Sequence, residues 1–303
     1  MHFHQNMSPQ KRVNLNFAPI MKILAIALLA LNFTNADYMF SHKADYKACL
    51  AELQTMLPAA SDNKEKAEVC WRLARVYLML GDAAGDKETK AGLYAKGMDA
   101  AENGISANPA NYKCYMWRSA NRGRDCQMKP LPQQAAASGQ ILDDLEQIIN
   151  QLGRTDYSEA WEALSQLYIA HPLKSDDAGI SYAYRAAMTI PKDELRISTL
   201  MWLASALYDR NDDAQDREKA IKANREKFAA SAKTNTSKYA YYEGNATLPW
   251  LTSSSSQLSD REEAKAILRY AESKYNACAD KTPVDRQDPR RQTRLRRINQ
   301  TQE

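Results

Sequence analysis

The sequence predicts an all-α protein built from about four helical hairpins in tandem, with flanking helices. Three observations carry that prediction. Gly is scarce, at 10 of 303 residues, and Ala, Leu, Lys, Glu and Gln dominate the middle of the chain, a composition that favours helix over strand. Large and small apolar residues recur at offsets 0, 3, 4 and 7, the spacing of one helix face. Gly or Pro closes most of these runs, as helix stops do.

The clearest unit is Tyr157 to Pro191. Trp161, Leu164, Ser165 and Tyr168 take the four offsets, a polar break follows from His171 to Asp177, and a second run carries Gly179, Ala183 and Ala186 before Pro191. Upstream, Ala44 to Leu57 is an amphipathic helix ending at Pro58. Lys64 to Leu80 repeats the offsets at Cys70, Leu73, Ala74 and Tyr77, with Gly81 as the expected stop. A loop is expected from Asp82 to Thr89, and then a small-residue ladder, Ala100, Ala101 and Gly104, running out at Asn108 and Pro109. Small residues are needed there because helix axes approach to ~8–10 Å. Asn111 to Met128 is a third segment, with Tyr112, Tyr115, Met116, Trp117 and Ala120 on its apolar side. Gln133 to Leu152 is periodic in Ile and Leu and stops at Gly153. Leu200, Leu203, Ala204 and Leu207 give the offsets once more, and Ala214 to Ala230 is expected to be the partner helix. Glu262 to Cys278 is expected to cover the end of the array.

These hairpins resemble the tetratricopeptide repeat, whose first helix carries a large residue, Leu, a small residue and Tyr at these offsets and whose second carries small residues and a closing Pro. The resemblance covers most of residues 37–230 and is divergent. It implies a right-handed α-solenoid of about four such hairpins, since one hairpin cannot bury its apolar face and stacked neighbours can. The helix from Tyr112 departs from the pattern, because Arg118 and Arg122 stand where Leu and Tyr are expected. The leader and the irregular loops make the chain similar to the secreted T-component proteins associated with TRAP-type transporters. That likeness implies a binding accessory that pairs with a solute-binding partner, without the lipid-anchoring Cys.

Export is expected from the N-terminal region. Residues 1–20 read as an upstream extension, and Met21 opens a short leader with Lys22, the apolar run Ile23 to Leu31 and the small-residue exit Thr34, Asn35, Ala36. Cleavage after Ala36 would leave a protein of the periplasm or the cell exterior, with no stable membrane insertion, since the run is shorter than the ~20 residues of a membrane span. The domain expected to fold is 37–280, with an irregular loop at 231–259 and a basic tail at 281–303. The formal net charge of +4 is concentrated in the leader and the tail, which leaves the body at about −3. That balance argues against a nucleic-acid partner.

No assembled set of acid, base and nucleophile can be named, so the chain reads as no enzyme and no cofactor is expected. Five cysteines lack any Cys-x-x-Cys pair, and buried free thiols are the simpler reading, although Cys70 and Cys114 could approach one another. His171 reads as a turn residue. Asp209, Asn211 and Asp213 fail as a calcium loop at Ala214 and Ala220. The candidate binding residues are Arg118, Arg122 and Arg124, whose forks suit a carboxylate or phosphate, and Tyr241, Tyr242 and Trp250 of the aromatic loop. Salt bridges to neighbouring helices are the plainer use of the arginines. A protein or peptide partner on a concave face is the first expectation. A small anionic or lipidic ligand is the second.

Overall fold

The computed structural model of the chain describes residues 31–170, 175–192, 194–230, 233–251 and 258–282. Every regular element among them is helical. In chain order these are α1 (Thr34–Tyr38), running into a π turn, α2 (Tyr46–Met56), α3 (Asn63–Ala83), α4 (Lys87–Ala107), α5 (Tyr112–Cys126) and α6 (Leu131–Glu146), extended by a π turn at Gln147–Gln151. Then come α7 (Ser158–Ala170), α8 (Asp176–Met188), α9 (Ile197–Arg210), α10 (Ala214–Ala229), α11 (Asn235–Tyr239) and α12 (Asp260–Ala277).

Polar caps set most of the starts. Asp62, Asp86, Ser175 and Asp213 each accept from backbone N–H groups of the first turn, and Ser259 forms a reciprocal capping box with Glu262. Gly153, with φ +65°, ends the α6 segment in the left-handed region, at the stop that the sequence marks.

The helices pack on their neighbours in sequence, α3 with α4, α4 with α5, α5 with α6 and α7 with α8, whereas α9 packs with α8 and with α12. The first pair is tighter than its sequence suggests. The loop expected at Asp82 to Thr89 shrinks to residues 84–86, because α3 runs on to Ala83 and α4 begins at Lys87. Gly81 is therefore no stop. It lies buried inside α3, where a Cβ would collide with the Tyr94 ring of α4. Gly104 plays the same part further along. A Cβ there would stand 2.5 Å from Cys114 Sγ and 2.9 Å from Cys70 Cβ, so three helices meet at one small residue. Gly104→Ala is expected to cost ~1–3 kcal/mol, as overpacking does, and to lower the denaturant midpoint with little change in the slope of unfolding. Cys70 and Cys114 are buried free thiols on either side of this glycine.

The last pair corrects the sequence reading. The partner of α9 is α12 and not α10: Leu200, Leu203, Ala204 and Leu207 share a core with Ala264, Ile267, Leu268 and Ala271. The physical reason is amphipathicity. Helix α10 buries only Arg217, Ile221 and Asn224, whereas α12 carries a four-residue apolar stripe at the offsets 0, 3, 4 and 7. The stretch 211–259, with α10 and α11, is thus inserted between the two halves of the pair, and the helix expected as an end cover is an integral member. The inserted stretch is also less irregular than expected. It holds α11, and Leu248 and Trp250 are buried in the core of the last pair.

At the other end, residues 31–43 wrap onto α2 and α3. Ala36 and Phe40 are buried with Cys49, Leu53, Val69, Leu73 and Val76, and Leu31 and Phe33 pack against the same cluster. The small-residue exit expected of a leader is thus part of a packed helix, with Cys49 donating to the Ala36 carbonyl. No described helix is long and apolar enough to cross a membrane.

Candidate functional site

The three candidate arginines all face carboxylates of neighbouring helices. Arg118 forks onto Asp144 of α6, at 3.2 Å from Nε and 2.5 Å from Nη2, and also meets Glu102 of α4. Arg122 donates to the same Asp144 at 2.9 Å. Arg124 donates to Asp82 at 3.1 Å, and Asp82 also accepts from the Tyr94 hydroxyl at 2.7 Å. Asp144 is buried and takes charge from both Arg118 and Arg122, so it neutralises the cluster from within. Burial opposes the Arg118 charge, but the hydrogen bond and charge of Asp144 outweigh it and hold that guanidinium above its ordinary value. The three side chains tie α5 to α4, α6 and α3.

The aromatic candidates part company. Trp250 is buried, donates to Glu263 at 2.9 Å and stacks at 6.5 Å on Tyr184, which makes it a packing residue. Tyr242 is half-buried in a ring set with Tyr239 and Phe228, and Tyr239 itself rests 5.1 Å from Trp161. Tyr241 is half-buried at the edge of this set, with Lys227 5.0 Å from its ring centre. Trp161 and Tyr168 belong to the core of the central pair.

Two further clusters were not anticipated from the sequence. In the first, Asp37 of α1 receives Arg72 at 2.9 Å and Arg75 at 2.8 Å, while Arg72 lies 3.9 Å from the Phe33 ring and 4.2 Å from Trp71. Burial raises the Asp37 carboxyl, but the two guanidinium groups outweigh it and hold it below the usual carboxylate range. In the second, Arg210 and Arg217 sit among Glu243, Asp260 and Glu263, all buried. Arg210 donates to Glu243 at 2.7 and 2.9 Å and to Asp260 at 2.8 and 2.9 Å. Arg217 donates to Glu263 at 2.5 Å and to the Tyr184 hydroxyl at 3.1 Å. Burial opposes both guanidinium charges. Hydrogen bonds and charge from Asp260 and Glu243 outweigh it at Arg210, as do Tyr184, Glu263 and Glu243 at Arg217, so both stay raised above their ordinary value. These clusters clip the two ends of the chain to the paired helices.

Nucleophilic chemistry finds little to work with among the described residues. Burial pushes the Cys49 thiol up to about 11 and the Cys114 thiol up to about 12, far from a reactive thiolate. His42 stacks on Tyr38 at 4.7 Å and lies 3.2 Å from Asp280. His171 and the arginines of the tail fall outside the described residues. No group of three or more His, Cys, Asp or Glu side chains converges as metal ligands among the described residues.

A family model described as Regulator of microtubule dynamics protein 1-3 matches residues 32–146, from the N-terminal wrap through α6. That span is well under half of the chain and contains the first two helix pairs. No curated protein matches the chain. The matched family is named for its action on microtubule dynamics.

Proposed function

We propose that the chain is a non-catalytic, tetratricopeptide-like scaffold, a right-handed α-solenoid whose concave face holds a protein or peptide partner, and that it acts in the regulation of microtubule dynamics. The side-by-side arrangement of the first helices is the observation that supports the stacked reading. Across α3 and α5, Asn111 donates to Glu68 at 2.9 Å, Cys114 to the Ala67 carbonyl at 3.6 Å and Asn121 to the Ala74 carbonyl at 3.0 Å. Across α7 and α9, Thr199 donates to Glu162 at 2.6 Å and Trp202 to Ser165 at 2.8 Å. First helices that neighbour one another in order leave their outer faces as one continuous surface, which is how stacked repeats present a partner site. The function itself rests on the partial family similarity. A ligand-binding accessory is the weaker reading, because Arg118, Arg122 and Arg124 are already occupied by carboxylates.

Co-sedimentation with assembled microtubules, followed by cross-linking mass spectrometry, tests this. The chain should pellet with the polymer and cross-link through α3, α5, α7 and α9. Absence from the pellet at micromolar concentrations, or cross-links confined to other elements, would count against it.

Export with cleavage after Ala36 fits the same reading poorly. It would remove Phe33 and Ala36 from their cluster and leave Asp37 as a free N-terminus beside Arg72. We propose that residues 31–36 stay with the folded protein. The intact mass of the protein from its own source should include them, and a mature N-terminus at Asp37 would restore the exported reading.

A further inference from the structure

Many arginines of the paired helices meet carboxylates, whereas the stretch that carries α10 and α11 concentrates cations that do not. Residues 219–238 hold six basic residues against the single acid Glu226, in a body whose net charge is about −3. Lys222, Arg225, Lys227 and Lys233 are exposed, and Lys238 is half-exposed. Among the described residues none of these five makes an ion pair, and neither does Arg185 of α8. By contrast Arg72, Arg75, Arg118, Arg122, Arg196, Arg210 and Arg217 all do.

Three of the cations are held in place by rings instead. Lys227 lies 5.0 Å from the Tyr241 ring centre, Lys238 4.8 Å from Phe228, and Arg185 4.5 Å from Tyr239. Arg225 is fixed by donating to the Gly244 carbonyl at 2.9 Å. A ring face orients an ammonium or guanidinium group without neutralising it, so the side-chain entropy is already lowered while the charge stays available. The favourable field of a helix C-terminus accounts for Lys227, Lys238 and Arg185, each in the last turn of its helix, but not for Lys222, Arg225 or Lys233.

The patch lies on the side of the second helices. Thr236 of α11 accepts from Tyr182 of α8 at 3.0 Å through its carbonyl, and Asn150 at the end of the α6 segment donates to its hydroxyl at 2.9 Å. It is therefore a different surface from the first-helix face proposed above. The large apolar side chains that stand exposed, Tyr38, Leu131 and Tyr208, are all elsewhere, so the patch offers charge without a side chain to bury in lipid.

We propose that the basic face of α10 and α11 is a docking surface for an acidic, extended segment of a partner protein, a run of Glu or Asp that lies across Lys222, Lys227 and Lys238. The proposal rests on the scaffold reading only for its biological setting; the charge complementarity stands without it.

The test uses the full chain and a fluorescently labelled peptide of eight glutamates, read by anisotropy at low and at physiological salt. The peptide should bind, more weakly as salt rises. The triple variant Lys222→Glu/Lys227→Glu/Lys238→Glu should weaken binding at least tenfold. Lys47→Glu/Lys64→Glu/Lys96→Glu, with the same change in net charge on other exposed lysines, should stay within threefold. Equal loss in both triples, or no binding by the unaltered chain, overturns the proposal. So does the opposite preference, in which phosphatidylserine vesicles capture the chain through these lysines and the peptide does not. Far-UV circular dichroism checks that the variants keep their helix content, and the corresponding Lys→Gln triple replaces any that does not. Loss of peptide binding with microtubule pelleting intact would sink this inference alone, whereas loss of pelleting in the unaltered chain would sink the scaffold reading.

Discussion

Replacing Arg217 with Met is expected to destabilise the protein by ~3–5 kcal/mol, the range for removing one partner of a buried ion pair. Arg217 is fully buried, as are Asp260 and Glu263, and it lies within 3.6 Å of Glu243 as well. Arg210 remains for Asp260 and Glu243, but Glu263 would keep only neutral partners, the Trp250 indole and the Tyr184 hydroxyl. A buried carboxylate with only neutral donors is the costly product. A loss of that size should lower the melting temperature by roughly 6–20 °C in a domain of this length. The second substitution Glu263→Leu, added to Arg217→Met, should recover part of the loss, because it removes the stranded charge. If the double variant were no better than the single one, the cost would lie in lost packing and not in the uncompensated carboxylate.

Trp161→Ala is expected to cost ~3–5 kcal/mol by a different route. The side chain has no exposed surface, donates to the Thr155 carbonyl at 3.0 Å, and stacks at 5.7 Å on Tyr182 and at 5.1 Å against Tyr239. It therefore joins α7, α8 and the inserted α11, so the cavity would open at the meeting of three elements. Equilibrium unfolding monitored by circular dichroism should show a lower midpoint, and protection of α11 amides from hydrogen exchange should fall with it. Unchanged protection in α11 would mean that the inserted stretch is held by contacts other than this ring set.

The helices were legible because burial on one face leaves a period in the sequence, and Trp161, Leu164 and Ser165 are buried as their spacing predicts. What failed was adjacency. Ala214 to Ala230 is the expected partner of α9 because it comes next, although its polarity argues against that. The stripe Ala264, Ile267, Leu268 and Ala271 stands at the right offsets within the expected cover, Glu262 to Cys278, but 49 residues separate α12 from α9. The partners of the arginines are hidden for another reason. Whether Arg118 is free depends on Asp144, which lies 26 residues away on another helix, and no local pattern reports such a partner. The leader exit at Thr34, Asn35 and Ala36 rests on local pattern in the same way, whereas the partners of Ala36 and Asp37, namely Cys49, Arg72 and Arg75, lie 13 to 38 residues further on. The basic stretch 219–238 is legible from composition alone, but it straddles the end of the expected partner helix and the start of the expected irregular loop, so neither element by itself displays it.

The inserted segment also bears on how the molecule assembles. The first pair closes over the three residues 84–86, and the last over the forty-nine of 211–259. On loop-closure entropy alone that difference adds about 2–3 kcal/mol to the cost of bringing α12 onto α9. Pairs with short connections can form as soon as their own residues meet, whereas α12 must wait for a distant partner. Its docking is then secured by Arg210 reaching Asp260 across 50 positions of sequence. Helix α12 is thus expected to be the last large piece of the described residues to join during folding, and the first to leave when the ion cluster is weakened.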